Sequence, residues 1–315
     1  MITQYRNVVG VGKGFKNRQE SGALSHVFLV KKKLPLAALD AQDVIPKSID
    51  GMPTDVIQVG EIRAQGRLDR TRPAPGGSSI GHYKITAGTL GCVVHHPTKG
   101  KVILSNNHVL ANSNDAQLGD PIYQPGPYDG GRAEDQIGLL DDFQPIDFGT
   151  GEATCNLAKM YAAFGNGLAR ALGSSHRVKA VFEKQAAPNL FDAAIARPLD
   201  QSMVTEEILD IGLINGMVSP YLGMKVRKSG RTTGYTHGEV IVLDATVEVS
   251  YGEGKTATFD QQIITGPMSQ GGDSGSLLVA ETSQQAVGLL FAGSDEVTIH
   301  SLIQPVLDRF GVSFQ

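Results

Sequence analysis

A serine, a histidine and an aspartate in this 315-residue chain have the surroundings that nucleophilic acyl chemistry requires. Ser274 ends the turn Ser269-Gln270-Gly271-Gly272-Asp273-Ser274, which leads into the apolar run Leu277-Leu278-Val279. Gly271 and Gly272 let the backbone bend where a side chain would clash. Such a turn can aim the N–H groups of Gly272 and Ser274 at one point beside the Ser274 hydroxyl, the geometry of an oxyanion hole next to a nucleophile. Taken alone, the stretch reads equally well as an ordinary serine on a glycine-rich β-turn, so its partners decide. His108 directly follows the apolar strand Lys101-Val102-Ile103-Leu104-Ser105, at the mouth of a loop, where a general base would stand. Asp192 interrupts the apolar run from Asn189 to Ala196. A carboxylate there needs a partner, and orienting a catalytic imidazole is one way to supply it. A turn aspartate bonding backbone amides is the alternative, and Asp141, Asp142 and Asp147 are rival carboxylates in a polar loop. The three residues need each other. Serine is a poor nucleophile until a base removes its proton, and the imidazole needs a carboxylate to fix its tautomer.

The elements that must hold them are mostly short strands between turns. The chain has 38 glycines, no tryptophan and 6% aromatic residues, which favours a β-rich architecture. Residues 5 to 60 read as a small α+β module, with strands at Val8–Gly12, Ala23–Lys31 and Thr54–Val59 and a short helix at Ala37–Asp43. Gly10-Val11-Gly12-Lys13-Gly14 lacks the Gly-Lys-Ser/Thr ending of a phosphate loop and is better read as strand. Residues 61 to 80 carry Arg63, Arg67, Arg70 and Arg72 ahead of Pro73-Ala74-Pro75-Gly76-Gly77-Ser78-Ser79, and read as a solvated linker. From Gly81 short strands resume, residues 111 to 150 are loop-rich, and Asn156 to Leu172 has the spacing of one inserted amphipathic helix. Glu239–Leu243 and Ala245–Ser250 read as separate runs, and Ile303–Phe310 as a C-terminal helix.

Composition excludes several classes. A net charge of −4 gives no basic excess for nucleic acid or an anionic membrane. No apolar run is long enough to span a bilayer, and Met1 to Arg6 does not begin a signal peptide. Cys92 and Cys155 do not make a disulfide framework; both are expected to be buried, inert thiols in an intracellular protein. His95 and His96 with His108 form a weak candidate metal cluster without a carboxylate or cysteine at ligand spacing, so no metal or cofactor is expected.

Asn107-His108-Val109, Phe191-Asp192-Ala193-Ala194-Ile195 and Gly272-Asp273-Ser274-Gly275, in that order, resemble the three catalytic motifs of chymotrypsin-like (trypsin-fold) serine proteases. Ser229-Gly230-Arg231-Thr232-Thr233-Gly234-Tyr235 resembles a segment that begins the second barrel in secreted bacterial members. The resemblance covers about residues 81 to 312. The N-terminal module, with Ile45-Pro46 and Asp50-Gly51 before Thr54-Asp55-Val56, looks like that of intracellular bacterial trypsin-like peptidases and plant narrow-leaf-type proteins. The resemblance implies a mainly all-β fold: two antiparallel six-stranded β-barrels, at about 81–200 and 201–302, with the inserted helix and a helix at 303–310. It implies a serine endopeptidase acting on polypeptides, with catalytic His108, Asp192 and Ser274 and an oxyanion hole at Gly272 and Ser274. The substrate pocket would be built from Met268, Ser269, Phe291, Ala292 and Gly293.

The departures from the family carry their own expectations. Arg227 and His237 occupy positions where the secreted members have a disulfide, which fits a reducing, cytoplasmic compartment. Animal members pair the aspartate before the serine with a freed N-terminus; here Lys228 and Arg231 are the candidate partners of Asp273. Ser276 replaces a glycine and is expected to narrow the space near the site. No acid stands at Met268, so an apolar pocket is expected, with a preference for acidic residues through His300 and Ser269 as the alternative. The helical insertion would serve as a lid or an oligomer contact, and the chain's expected partners beyond substrate are a homo-oligomer or a partner protein that controls activity. A protease-like scaffold that binds peptides or regulates with little turnover is the competing reading. An α/β-hydrolase esterase would need Gly-x-Ser-x-Gly and the order Ser, Asp, His, and neither is present.

Overall fold

Strands dominate the computed structural model, which describes residues 5–18, 22–59, 66–85, 87–152, 155–176, 178, 180–183, 187–252 and 255–314. Arg63 and the Glu253-Gly254 turn of the sequence reading lie outside the described residues. The chain divides into two compact units, Met1–Gln65 and Gly66–Gln315.

In the first unit Val8–Phe15 pairs antiparallel with Leu24–Val30. Leu24–Val30 in turn runs parallel to Met52–Gln58, and Ser48–Ile49 completes a four-stranded sheet. Tyr5, Val8, Phe28 and Val30 form its core. The glycine-rich Gly10–Gly14 stretch is strand, followed by the short 3-10 turn Lys16–Arg18. The expected helix near Ala37–Asp43 is instead two 3-10 turns, Leu36–Ala38 and Ala41–Asp43, neither with a buried residue to stabilise a longer helix.

The second unit contains two antiparallel β systems. The first is a seven-stranded sheet, one strand more than the six expected: Gly88–Thr89, Ser79–His82, Pro121–Tyr123, Gln136–Phe143, Ala194–Pro198, Gly100–Ser105 and Cys92–His96. Its two terminal strands are separated in sequence only by Leu90 and Gly91, so the sheet must curl round until its ends meet. The second is a closed six-stranded barrel, ordered Lys225–Gly230, Gly234–Ser250, Thr256–Thr265, Thr298–Leu302, Ala286–Gly293 and Leu277–Ala280. Ile80, Ile103 and Ile137 fill the first system, and Val226, Val240 and Leu278 the second. A third cluster joins them, with Leu104 and Ile195 from the sheet, Leu277 and Leu289 from the barrel, and Ile303, Val306, Leu307 and Phe310 from the C-terminal helix. The architecture is mainly β, with two barrel-like antiparallel systems, as expected from the sequence.

Several local expectations change. The segment at Pro73–Ser79 is not a solvated loop. Ala74, Ser78 and Ser79 are buried, and Ala74–Gly76 runs parallel to Val204–Ile208. Bridge positions fall at Ala74 and Gly76, so neither flanking proline has to donate to the ladder. Its arginines are tied down: Arg67 to Ser229 and Asp210, Arg70 to Asp135, and Arg72 to Gln124. Gln136–Phe143 is a strand within the loop-rich stretch, its alternation hidden by a bulge between Leu140 and Asp142. The two runs before Ser250 form one 17-residue strand bent by bulges, with Asp244 at a φ of 52°. The inserted helix is present as Asn156–Ala171, but none of its residues is buried. Cys92 is buried as expected, whereas Cys155 is exposed because it stands at the start of that helix.

Candidate active site

Strand register brings His108 and Asp192 together. Ala194 pairs with Ser105, which sets the residues before one strand beside those after the other. The single helical turn Asn107–Leu110 is pinned by the buried side chains of Val109 and Leu110. Asn106 Nδ2 donates to the Asp192 carbonyl at 2.7 Å. The His108 backbone N–H donates to Asp192 Oδ1 at 3.3 Å, and His108 Nδ1 lies 2.6 Å from Oδ2. An ionised carboxylate only accepts, so Nδ1 carries the proton and Nε2 keeps its lone pair for a base's work. The Asp192 side chain is wholly buried, a cost that its donors offset. One donor was not anticipated from the sequence: the Tyr251 hydroxyl, 2.8 Å from Oδ2. Burial, and then the Asp192 charge, push the Tyr251 phenol well above its ordinary value, so it remains a donor. The rival aspartates are engaged elsewhere: Asp141 with Lys99 at 2.5 Å, Asp142 with Arg309 at 2.9 Å, and Asp147 with the Gly149 N–H at 3.0 Å.

The turn at Ser274 is held by its carbonyls. Gly271 O accepts from Thr232 Oγ1 at 2.8 Å and Gly272 O from Thr89 Oγ1 at 3.0 Å. Asp273 O accepts from Ser276 Oγ at 2.6 Å, and Ser274 O from the Thr89 N–H at 2.8 Å. In a trans peptide the N–H points opposite to the carbonyl of the preceding residue. Fixing Gly271 O and Asp273 O therefore fixes where the N–H groups of Gly272 and Ser274 point. Among the described residues neither N–H has a protein acceptor. Gly272 and Gly275 both take a φ of 97°, which disfavours any side chain. A Cβ on Gly275 would also stand 2.2 Å from Ser105 Oγ, so glycine lets the turn press against the first sheet. The buried Ser276 braces the turn and does not narrow the site, contrary to expectation.

Asp273 pairs with Lys228 at 3.1 Å, both side chains wholly buried, while Arg231 is taken by Asp129. The carboxylate of Asp273 also accepts from the N–H groups of Thr232, Thr233 and Gln270 and from Thr233 Oγ1. Burial would raise its pKa, but the Lys228 ammonium and these hydrogen bonds outweigh it and leave the carboxyl below its ordinary value. Burial lowers the Lys228 ammonium in turn, against the pull of Asp273.

His108, Phe291, Ala292 and Gly293 line one cleft of about 1140 Å³, with Tyr251 on the same wall. Ser274 Oγ lies 3.5 Å from the Phe291 carbonyl and, among the described residues, makes no hydrogen bond to His108. Such bonds commonly tighten only in the substrate complex. Gly88 connects the two sides, since a Cβ there would meet both Val109 and the Ser274 carbonyl. Of the expected pocket residues, Ser269 faces Gly293, but Met268 packs into the barrel core. His300 is buried and bonds Thr265 Oγ1 at 3.0 Å. Burial and then Lys228 lower its imidazole to about 3, so it brings no positive charge to an acidic side chain. Among the described residues no three of His, Cys, Asp and Glu gather as a metal site.

The fold has counterparts among solved structures. A Nocardiopsis protease aligns at 16% identity over 76% of this chain and 98% of its own, with a TM-score of 0.49. A glutamic-acid-specific serine protease, described as using a histidine triad in substrate binding, aligns at 19% identity over 77% and 100%, also at 0.49. A Cellulomonas bogoriensis chymotrypsin aligns at 17% over 76% and 97%, at 0.48. These are likenesses of architecture. No protein-family model matches the chain. No curated protein matches it either.

Thr232 and Tyr251 support the site without having stood out as candidates for it in the sequence, and Ser276 stood out there for a different role. For Thr232 the available signal was its place beside Arg231 in the Ser229–Tyr235 segment. Tyr251 carried none, since it lies at the end of a polar-alternating strand, 59 positions from Asp192.

Proposed function

We propose that the chain is a serine endopeptidase that cleaves peptide bonds through an acyl-enzyme. Ser274 Oγ attacks the carbonyl carbon, His108 Nε2 takes its proton, and Asp192 keeps the imidazole in the required tautomer. The oxygen that gains charge is received by the N–H groups of Gly272 and Ser274. The leaving amine then takes the proton from His108, and water attacks the ester by the same base. The observation that carries this reading is the 2.6 Å His108–Asp192 contact beside a turn whose two candidate N–H donors have no acceptor among the described residues. The internal Lys228–Asp273 pair supports a turn that is already formed, with no cleavage needed to supply a cation. The pairing of Arg227 with His237, where secreted relatives carry a disulfide, supports a cytoplasmic place of action.

A fluorophosphonate probe tests the reading. Wild type is expected to be labelled, and Ser274→Ala and His108→Ala are not. A folded wild type that stays unlabelled would instead favour a peptide-binding scaffold with little turnover.

A further inference from the structure

We infer that Tyr251 is a positioning residue, whose hydroxyl locks the Asp192 carboxylate in the orientation that His108 requires. The inference rests on the proposed hydrolysis and extends it to a residue from the other barrel. His108 stands in the helical turn after Gly100–Ser105 and Asp192 just before Ala194–Pro198, both strands of the first sheet, whereas Tyr251 follows the long strand Gly234–Ser250 of the closed barrel. Its hydroxyl reaches the same oxygen, Oδ2, that faces His108 Nδ1. Oδ1 is taken by the His108 backbone N–H, so both carboxylate oxygens are held and the group cannot turn about its own bond.

The rest of the side chain explains how the hydroxyl is aimed. The Tyr251 ring stands edge-on to His108 at 5.7 Å and 72°. It packs on Phe148 at 5.4 Å and on Phe259 at 6.2 Å, and Phe259 meets Phe291 at 4.6 Å. Phenylalanine would serve that aromatic cluster as well, since none of these contacts uses the oxygen. A buried hydroxyl is costly unless bonded, and among the described residues the only bond this one makes is to Asp192. The polar atom therefore serves the triad. Lys255 Nζ, 2.8 Å from Asp115, ties the far side of the same hairpin to the loop after His108. That pair is half exposed and weak, which leaves the aromatic contacts to seat the hairpin.

Tyr251→Phe removes the hydroxyl and keeps the ring. Two measurements read it: steady-state kinetics on a peptide substrate, and the low-field NMR resonance of the His108 Nδ1 proton. The expected result is a kcat about tenfold lower, with KM changed by less than about twofold, and a displaced Nδ1 resonance. A purely structural tyrosine would move neither kcat nor the resonance once the variant is folded. An unmoved resonance overturns the inference, and so does an unchanged kcat where wild type is active. Fluorophosphonate labelling of wild type separates the two levels. A wild type that is inert while the resonance still shifts supports the positioning role and sinks the hydrolase reading. A labelled wild type with an indifferent Tyr251→Phe does the reverse.

Discussion

Thr232 shows how much of a candidate site can depend on an exposed side chain outside it. Its hydroxyl holds the Gly271 carbonyl at 2.8 Å and thereby the direction of the Gly272 N–H. Valine has the same shape and no donor, so Thr232→Val frees that peptide to rotate, with glycine on both sides of it. Losing one oxyanion donor costs on the order of 10² to 10³ in turnover. Thr232→Val is therefore expected to lower kcat toward that range with KM little changed, measured on a peptide substrate; an unaffected kcat would mean the turn holds without it. Lys228 works at a deeper level. Removing one partner of a buried ion pair costs about 3–5 kcal/mol, because the other charge is left stranded. Lys228→Met is expected to lose about that much in urea unfolding. The pH dependence follows from Asp273, whose carboxyl is held below its ordinary 3.8. A depressed carboxyl stabilises the fold above its unfolded value and loses that contribution as pH falls through the folded one. Wild type should therefore lose stability below about pH 4, and Asp273→Asn should show a shallower acid slope there.

Among the elements, two amphipathic segments look alike in sequence and behave differently. The strand Thr256–Thr265 buries Phe259 completely, against Tyr251 and Phe291 beneath the cleft. The helix Asn156–Ala171 has an equally clear apolar stripe, yet Leu157, Met160, Tyr161, Phe164 and Leu168 are all more than half exposed. Among the described residues the segment after it returns to it, with Asn166 bonding both backbone groups of Val178. Periodicity identifies a face and not what meets it. Phe259→Ala is expected to cost about 3–5 kcal/mol, by the cavity it leaves. Phe164→Ser should stay within about 0.5 kcal/mol, because the side chain is largely exposed among the described residues. Urea midpoints of the two variants make the comparison, and a large loss at Phe164 would show that the stripe is covered in solution.

At the scale of the molecule, what could be read in advance was what is local. The His108 loop, the Asp192 run and the Ser274 turn each carried a signal within ten residues, and the C-terminal helix carried its i, i+3, i+4, i+7 pattern in Ile303, Val306, Leu307 and Phe310. Contacts set by tertiary packing left no such mark. Tyr251 lies 59 positions from Asp192, and Thr232 lies 39 from the carbonyl it holds. The Pro73–Ser79 segment has loop composition, yet from Ala74 onward it is buried, with Ala74–Gly76 paired to residues more than a hundred positions away. Bulges hid the continuity of Gly234–Ser250 in the same way. These long-range bonds share one property: among the described residues, those that orient His108, Asp192 or the Ser274 turn lie between Gly66 and Gln315. The described members of the three hydrophobic clusters around them also fall within that span. A chain that begins at Gly66 is therefore expected to fold and to react with the fluorophosphonate probe at a rate within about threefold of full length. Loss of labelling in a folded shortened chain would assign the N-terminal unit a part in the reaction, whereas unchanged labelling would confine that unit to substrate choice or regulation.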